Sequence, residues 1–260
     1  MIEYKNVSFI RDGNVIIDNI SFKIDQDENW VVLGPNGAGK SVLFSMLMAY
    51  NIPTKGQIKA FGKTFGEYNW NKIKSRIGIV SSTMARFESV LNRMRIFEII
   101  LSGLKRTIGI YDRITEAEKE KTAKFIAQLG FESMQYKDYR NLSAGEKKKT
   151  MILRSLITEP DILILDEPCS SLDLFQKEQI LQTLSKIKNT NMIYITHDIT
   201  EIIPEFDHVM MLKEGKILIQ GKKKEILNQQ NLQALYGLDV EINNITERPT
   251  VRVINRFEEE

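Results

Sequence analysis

A glycine-rich segment near the start of the chain constrains its fold more than any other feature. The segment follows a short apolar run, Trp30–Leu33, and precedes Val42–Ala49, whose apolar residues recur at helical spacing. It consists of Gly34, Pro35, Asn36, Gly37, Ala38, Gly39, Lys40 and Ser41. This series matches the pattern G-x-x-x-x-G-K-[ST] in the strand–loop–helix context that the pattern requires, so an accidental glycine-rich turn is a poor alternative. The sequence therefore predicts a phosphate-binding loop.

The glycines and the two residues that end this loop define its expected chemistry. Glycine lets the backbone wrap closely around a phosphate with its N–H groups pointing at the oxygens, and a helix N-terminus adds positive potential. Lys40 is expected to reach the β- and γ-phosphates of a nucleotide, and Ser41 is expected to ligate Mg²⁺. The loop thus predicts binding of ATP together with Mg²⁺.

Two carboxylates follow another apolar run. Ile162–Leu165 is typical of a fully buried central strand, and Asp166 and Glu167 come directly after it. Ligands of α/β proteins bind at the carboxyl ends of such strands. Asp166 is expected to hold Mg²⁺ through water, and Glu167 is expected to orient or deprotonate the attacking water. Taken alone, an acidic pair at a strand end is more often a turn or a helix cap, but the phosphate loop weakens that alternative.

Apolar patterns along the rest of the chain predict its architecture. Two strand patterns near the N-terminus, joined at Asp12-Gly13, predict an antiparallel hairpin. From about residue 82 to about residue 160 the pattern is mostly helical. Strands alternate with helices after it, with a helix expected at Gln176–Lys188 and a terminal strand near Thr250–Ile254. These patterns favour an α/β P-loop NTPase with a mixed sheet, an N-terminal antiparallel β subdomain and an inserted helical subdomain. We assign residues 1–221 to this domain and residues 222–260 to a C-terminal extension of unknown role.

Composition and charge limit the partners and the cellular compartment expected for the chain. The 36 basic and 34 acidic residues give a formal net charge of +2, so no nucleic-acid partner is expected. Cys169 is the single cysteine, which excludes an internal disulfide and suits a reducing compartment. The first residues lack the blocks of a signal peptide, and no run approaches the ~18 apolar residues that span a bilayer. We therefore expect a cytoplasmic chain that reaches a membrane only through a partner.

Further motifs follow in the order found in ATPase domains of ABC (ATP-binding cassette) proteins, which the chain resembles over roughly its first 220 residues. The segment 142–146, Leu-Ser-Ala-Gly-Glu, is similar to the family's Leu-Ser-Gly-Gly-Gln and is named the signature segment here. The resemblance implies that Ser143 and Gly145 bind the γ-phosphate held by an opposite subunit, so that two copies sandwich two ATP. It also implies that Asp173 lies in a loop at the dimer interface and that His197 is a switch histidine that hydrogen-bonds the γ-phosphate.

Four positions depart from the family pattern. They are Ser82 where the family has a loop glutamine, Arg11 where it has an aromatic residue, Val42 where it has a hydroxyl residue, and Glu146 where it has glutamine. We expect Ser82 to reach Mg²⁺ less easily than glutamine, and the Arg11 guanidinium to stack on adenine. Val42 stays among the nucleotide-binding residues but cannot donate the usual side-chain hydrogen bond. Glu146 should repel a γ-phosphate unless it turns back to form a capping box with Ser143, and such a box by itself is the alternative to phosphate binding there.

The motifs together predict the ATP-hydrolysing subunit of an ABC transporter. It would work as a homodimer, or an ABC-type heterodimer, beside a separate membrane permease, and would lie peripherally on the inner face of the membrane. A soluble regulatory, repair or translation ATPase is one alternative, which Ser82 favours. A non-catalytic nucleotide-binding module is another, against which Glu167 and His197 argue.

Two smaller features complete the interpretation. Trp30 before the phosphate loop, the strand end Val80–Ser82 and the segment Ser171–Phe175 are similar to stand-alone ATPases related to the second ATPase of molybdate uptake loci. The run Lys147–Lys149 predicts a solvated helix face, with a lipid or phosphate contact as the alternative.

Overall fold

The computed structural model of the chain describes residues 1–243 and 248–254, and within these ranges every side chain except those of Ser82, Thr83 and Ala85. The strands are, in chain order, β1 (Ile2–Arg11), β2 (Asn14–Ile24), β3 (Trp30–Leu33), β4 (Lys55–Ala60), β5 (Lys63–Thr64), β6 (Ile77–Val80), β7 (Ile162–Asp166), β8 (Asn191–Thr196), β9 (His208–Lys213), β10 (Lys216–Lys222), β11 (Val240–Asn243) and β12 (Thr250–Val253). The α-helices are α1 (Lys40–Ser45), α2 (Trp70–Lys74), α3 (Glu88–Leu91), α4 (Ile96–Leu104), α5 (Glu116–Gln128), α6 (Ala144–Leu156), α7 (Leu174–Leu184), α8 (Lys223–Ile226) and α9 (Gln229–Tyr236). Short 3₁₀-helices lie at Met46–Met48, Ser82–Phe87, Glu132–Met134, Tyr139–Asn141 and Ile199–Glu201. In the part of the chain that the structure describes, no helix has the length and apolarity needed to cross a membrane.

These elements form two compact units. The first unit contains Met1–Ile77 and the chain from Asn191 onward, and the second unit contains Gly78–Thr190. The helical stretch expected at about 82–160 falls within the second unit, which also includes β7 and α7. The boundary expected near residue 221, between an ATPase domain and a C-terminal extension, stays a prediction.

The N-terminal part of the first unit is an antiparallel sheet with the strand order β2-β1-β4-β5. Its first hairpin turns at Asp12 and Gly13, whose φ angles of 51° and 78° are the left-handed conformations that a tight two-residue turn requires. Tyr4 and Phe22 pack against each other on its buried face, with ring centroids 4.5 Å apart. The predicted hairpin is therefore confirmed.

A mixed sheet forms the rest of the first unit, where its strands have the order β10-β9-β3-β8. β3 pairs in parallel with β8 and β9, whereas β9 and β10 form an antiparallel hairpin. All residues of β3 are buried, as is typical of a central strand. Leu33 lies opposite Thr196 and Met211, so the loop after Leu33 and the residue after Thr196 leave the same edge of the sheet. This edge positions the phosphate loop and His197.

The second unit contains the neighbouring strands β6 and β7 and the helices between and after them. Ile162–Leu165 of β7 is fully buried, as predicted. α4 packs against α5 and α6, and α6 packs against α7. α5 and α6 each begin with a capping box, in which an N-cap hydroxyl and an N3 carboxylate exchange hydrogen bonds with each other's backbone N–H. The mixed sheet, the antiparallel N-terminal sheet and the helical stretch confirm the α/β fold class.

Two helices differ from their expected bounds for local reasons. α7 begins at Leu174, two residues before the expected start, because the Asp173 side chain caps it by accepting a hydrogen bond from the Gln176 N–H at 2.8 Å. α1 ends at Ser45 and continues as a 3₁₀-helix. The Ser45 hydroxyl donates to the carbonyl of Val42 at 2.7 Å, and bonds of this kind to the preceding turn bend or end helices.

The described residues after β10 pack within the first unit. α9 lies against β9 and β11, and its residues Leu232 and Leu235 are buried. β11 and β12 pair in antiparallel register, with Val240 opposite Val253. The predicted terminal strand is therefore confirmed for Thr250–Val253.

Candidate active site

The phosphate loop is closed around the side chain of its own lysine. Lys40 is only 4% exposed, and its ammonium group donates hydrogen bonds to the carbonyls of Gly34 at 2.8 Å and Pro35 at 3.0 Å. The N–H of Ala38 donates to the Pro35 carbonyl at 3.2 Å and tightens the turn. The lysine charge is thus held inside the curve of the loop, where it can meet an incoming phosphate.

Two glycines of the loop are required by close approaches of other backbone. A Cβ at Gly34 would run into the carbonyl oxygen of Leu212 on β9. Gly39 has a φ of 96°, and a Cβ there would lie 3.0 Å from the backbone carbonyl oxygen of Ile16. The loop therefore takes this curve only because both positions lack a side chain.

α1 follows the loop and presents the hydroxyl expected to ligate Mg²⁺. Ser41 is exposed in the first turn, and Val42 is half-buried beside it. The N–H of Leu43 donates to the Gly39 carbonyl at 2.9 Å, so the helical hydrogen bonds begin directly behind the loop. The first turn of a helix presents its N–H groups outward, which is the arrangement found at phosphate sites.

His197 stands at the same sheet edge as the phosphate loop. It follows the last residue of β8, Thr196, and its side chain is exposed. The turn behind it is tightened by Asp198, whose carboxylate accepts hydrogen bonds from the N–H and the hydroxyl of Thr200 at 2.9 and 2.7 Å. The fold therefore brings Lys40 and His197 to one edge of one sheet, although 157 positions separate them (197 − 40).

The two predicted acidic residues lie at the end of β7 in the second unit. Asp166 is the last residue of the strand, Glu167 follows it, and both are half-buried. Glu167 has a φ of 48°, a left-handed conformation that is uncommon for a residue with a side chain. Such strained residues cluster at functional sites, because there the surrounding structure holds them in place.

The signature segment begins α6. The Ser143 hydroxyl accepts a hydrogen bond from the Glu146 N–H at 3.2 Å, and the Glu146 carboxylate accepts one from the Ser143 N–H at 2.8 Å. The carboxylate also lies 3.8 Å from the ammonium group of Lys137. A Cβ at Gly145 would lie 3.0 Å from the Cβ and Cγ atoms of Gln176, so a larger residue there would require the Gln176 side chain to shift. Glu146 therefore turns back and caps the helix.

Asp173 begins α7 next to two exposed apolar side chains. Leu174 is 76% exposed and Phe175 is 71% exposed. The Asp173 carboxylate is engaged as the N-cap, as described above. Because the Asp173 carboxylate caps the helix, the main feature that this segment exposes to solvent is the apolar pair.

Two other predicted site residues lie elsewhere. Arg11 is exposed at the end of β1, where its guanidinium donates to the Asn51 side-chain carbonyl at 2.6 Å and lies 5.3 Å from the ring centroid of Phe9. Ser82 begins a 3₁₀-helix, but its side chain lies outside the described residues. Within the described residues, no group of three or more His, Cys, Asp and Glu side chains has the arrangement of a metal site.

The expectation of a solvated face at Lys147–Lys149 is wrong, because all three residues are half-buried. Lys149 lies 4.7 Å from the ring centroid of Phe131. Burial lowers the pKa of Lys148, while the neighbouring Cys169, Asp166 and Glu167 raise it. Lys148 therefore places a positive charge near the two carboxylates, which the charge run alone did not reveal. Its helical spacing to the buried residues 145 and 152 is the signal that could have found it.

Known proteins resemble this chain along most of its length. A family model described as ABC transporter matches residues 17–170. The chain is 36% identical over 256 residues to YlmA of Bacillus subtilis, an uncharacterized ABC transporter ATP-binding protein, and the match covers 96% of each chain. It is 33% identical over 234 residues to PotA of Borreliella afzelii, a spermidine/putrescine import ATP-binding protein, covering 88% of this chain and 65% of PotA. The solved structure of cbiO1 from Clostridium perfringens, part of the ABC transporter complex cbiONQ, matches with a TM-score of 0.73 at 26% identity, covering 90% of this chain and 92% of cbiO1.

These matches bear on the predictions from sequence. The family model spans more than half of the chain, and the similarity to YlmA extends beyond it to nearly the whole length. The resemblance, the ATPase activity and the transport role are therefore confirmed, and the soluble non-transport alternative is not favoured. The chain belongs to the ABC transporter family, of which it is an ATP-binding and ATP-hydrolysing subunit.

Proposed function

We propose that two copies of this chain bind two ATP between them, with the phosphate loop of one copy facing the signature segment of the other. The observation that carries this proposal is the exposure of Leu174 and Phe175, 76% and 71%, directly after Asp173. Covering this adjacent apolar pair with a partner subunit would remove it from water, which favours pairing at this surface. The pairing surface would therefore include the Ser143 and Asp173 regions.

Phosphate binding is proposed for the loop and for the opposite signature segment. Lys40 would hold the β- and γ-phosphates of ATP, with backbone N–H groups of the phosphate loop and of the start of α1 around them. Ser143 and Gly145 of the other copy would contact the γ-phosphate through the first turn of α6. The capping position of Glu146 supports this role, because a carboxylate turned back to the Ser143 N–H at 2.8 Å repels a phosphate less than an outward one would.

Mg²⁺ is proposed to bind at Ser41 and Asp166, with Ser82 as a further candidate. An exposed hydroxyl in the first turn of α1 and a half-buried carboxylate at a strand end are hard oxygen donors, which fit this cation. When bound, the ion would neutralise charge on the β- and γ-phosphates. The structure describes the backbone of Ser82 and not its side chain. The proposed role of Ser82 therefore rests on the resemblance to the ABC family.

Hydrolysis is proposed to depend on Glu167 and His197. Glu167 would orient or deprotonate the attacking water, and its left-handed backbone at φ 48° supports a role that needs a fixed carboxylate. His197 would donate a hydrogen bond to the γ-phosphate. Arg11 would stack on adenine, a role supported by its exposed position at the end of β1.

A separate membrane permease is proposed as the partner that moves the solute, with this chain peripheral on the inner face of the membrane. The support is membership of the family and the likeness to cbiO1, which is itself part of a transporter complex. Affinity capture of the tagged chain from detergent-solubilised membranes is expected to recover a multi-span protein. Recovery of the chain alone, in membranes from cells that express its neighbouring genes, would contradict a permease partner.

Glu167→Gln tests the sandwich. The variant keeps the shape of the side chain and loses the base, so it should bind ATP, lose at least about 90% of turnover and accumulate as a dimer. Size-exclusion chromatography with light scattering, with and without ATP and Mg²⁺, measures the dimer, and phosphate release measures turnover. Glu132→Gln, at an exposed carboxylate of the same unit, is the matched control and should hydrolyse ATP normally. A Glu167→Gln protein that stays monomeric with saturating ATP would rule out the sandwich.

A further inference from the structure

The turn that begins at His197 is held from its inner side by buried hydrogen bonds. The Glu201 carboxylate is 4% exposed and accepts hydrogen bonds from the Tyr194 hydroxyl at 2.9 Å and the Thr196 hydroxyl at 2.6 Å. The Thr196 oxygen in turn accepts a hydrogen bond from the Asp198 N–H at 3.0 Å. These bonds fix the residues on both sides of His197 to the end of β8.

The same turn is held from its outer side by the chain after β10. The Tyr236 hydroxyl, at the end of α9, donates a hydrogen bond to the backbone carbonyl of His197 at 3.1 Å. The Arg248 guanidinium donates one to the carbonyl of Thr200 at 2.6 Å. Two side chains that lie 39 and 48 positions further along the chain than their acceptors therefore hydrogen-bond to the backbone of one short turn.

α9 is itself firmly anchored, so Tyr236 has a fixed position. Leu232 and Leu235 are 0% and 1% exposed where the helix packs on the first unit. The Lys213 ammonium group at the end of β9 donates to the carbonyl of Ala234 at 2.6 Å. Groups on anchored elements hold neighbouring functional residues more accurately than groups on loops do.

The Tyr236 phenol is a hydrogen-bond donor throughout the neutral range. Burial, and then the charge of Asp198, raise the pKa of Tyr236 to about 12. A carbonyl oxygen can only accept hydrogen bonds, so the contact with His197 depends on this proton. The hydrogen bond from Tyr236 to the His197 carbonyl is therefore present at every pH near neutrality.

We propose that the chain after β10 is a positioning element for His197: Tyr236 and Arg248 hold the His197 turn so that the imidazole faces the γ-phosphate. This inference rests on the role proposed above for His197. The hydrogen bond from Tyr236 restrains the peptide of the same residue that carries the imidazole, and so limits the directions in which that side chain points. Small misplacements of a catalytic group lower the rate of the chemical step far more than they lower substrate binding. Tyr236 and Arg248 act through His197, so they are positioning residues.

The test is a double-mutant cycle between Tyr236 and His197, measured by steady-state ATP hydrolysis at saturating ATP and Mg²⁺. Tyr236→Phe removes only the hydroxyl, and we expect kcat to fall about fivefold or more while the affinity for ATP, measured by calorimetry, stays within about twofold. In the His197→Ala protein the same substitution should have no further effect. Tyr136→Phe, at an exposed tyrosine outside both the His197 turn and the chain after β10, is the matched control and should leave kcat unchanged. Arg248→Ala is a second variant that should lower kcat in the same way.

Each outcome either supports or overturns the positioning role of Tyr236 and Arg248. A Tyr236→Phe effect that disappears in the His197→Ala protein supports positioning. An unchanged kcat in both Tyr236→Phe and Arg248→Ala, or an equal fall with and without His197, overturns it and leaves the role of His197 intact. If His197→Ala itself hydrolyses ATP at the normal rate, the role proposed for His197 fails, and the positioning inference fails with it. Thermal unfolding of every variant separates these results from a loss of fold.

Discussion

The substitution Glu146→Gln should lower the stability of the chain and at the same time tighten its ATP-dependent pairing. It restores the residue that the ABC family usually carries at the end of the signature segment. The Glu146 carboxylate accepts the Ser143 N–H at 2.8 Å and lies 3.8 Å from the Lys137 ammonium group. Glutamine can make the same capping hydrogen bond, so the variant removes charge and keeps geometry.

The loss of stability follows from three contributions of that charge. A negative charge in the first turn of a helix contributes about 0.5 kcal/mol, and an ionised acceptor adds roughly as much over a neutral one. The partly exposed pair with Lys137, at 3.8 Å, adds little. The variant should therefore be destabilised by about 1 kcal/mol, which lowers Tm by about 2–4 °C for a chain of this size.

ATP-dependent pairing should instead become tighter. If the γ-phosphate of the opposite copy meets the first turn of α6, removing a like charge there favours binding by about 1 kcal/mol, or roughly fivefold. Differential scanning calorimetry measures the first effect. Sedimentation with ATP and Mg²⁺, in a Glu167→Gln background that does not hydrolyse, measures the second.

Glu118→Gln is the matched control for both measurements. It removes the same kind of N3 carboxylate from the capping box of α5, where Glu118 accepts the Thr115 N–H at 2.9 Å. Its Tm should fall without any change in pairing. A Glu146→Gln protein that keeps its Tm would refute the capping argument. One that pairs no more tightly than the Glu118→Gln control would refute the contact between the signature segment and a γ-phosphate.

Three further results are expected. Lys40→Ala removes the ammonium group inside the phosphate loop and should weaken ATP binding at least about tenfold, so an unchanged Kd by calorimetry contradicts its role. Gly34→Ala drives a Cβ into the Leu212 carbonyl, so nucleotide binding and Tm should both fall, and normal values would mean that the backbone yields there. Lys105 is the main cause of the lowered pKa of Glu118, about 2 against an ordinary 4.5. The stability that Glu118 provides is therefore complete above about pH 4.5 and lost as the pH falls toward 2, and urea unfolding of wild type and Glu118→Gln should differ less at pH 3 than at pH 7.

Local features of the fold follow from the sequence because their causes lie within a few residues. The turn at Asp12-Gly13 needs two left-handed residues, and the capping box of α5 needs a hydroxyl and a carboxylate three positions apart. The phosphate loop is equally local, since its glycines and lysine are consecutive. The start of α7 did not follow in the same way, because several polar residues could cap the helix and the structure selects Asp173.

The prediction of a solvated face at Lys147–Lys149 was wrong because the burial of these residues has a non-local cause. A run of like charges predicts a solvated face when nothing is known of what packs beside it. Lys148 is half-buried because α6 packs against other elements of the second unit, and its neighbours Asp166 and Glu167 lie 18 and 19 positions further along the chain (166 − 148 and 167 − 148). Burial of a charged side chain is decided by such packing and not by its neighbours in sequence.

The sequence by itself determined that this chain carries a phosphate loop, a carboxylate pair after a buried strand and a signature segment, and so that it binds ATP. Only the tertiary structure decided how Glu146 resolves the conflict between capping a helix and meeting a phosphate, because both were compatible with the same residues. The tertiary structure also decided that β3 and β8 lie in register, which brings His197 to the edge of the phosphate loop. It further joined Tyr236 to the His197 carbonyl at 3.1 Å. Contacts of this kind depend on the packing of segments that are distant in the chain, and no pattern within either segment specifies them.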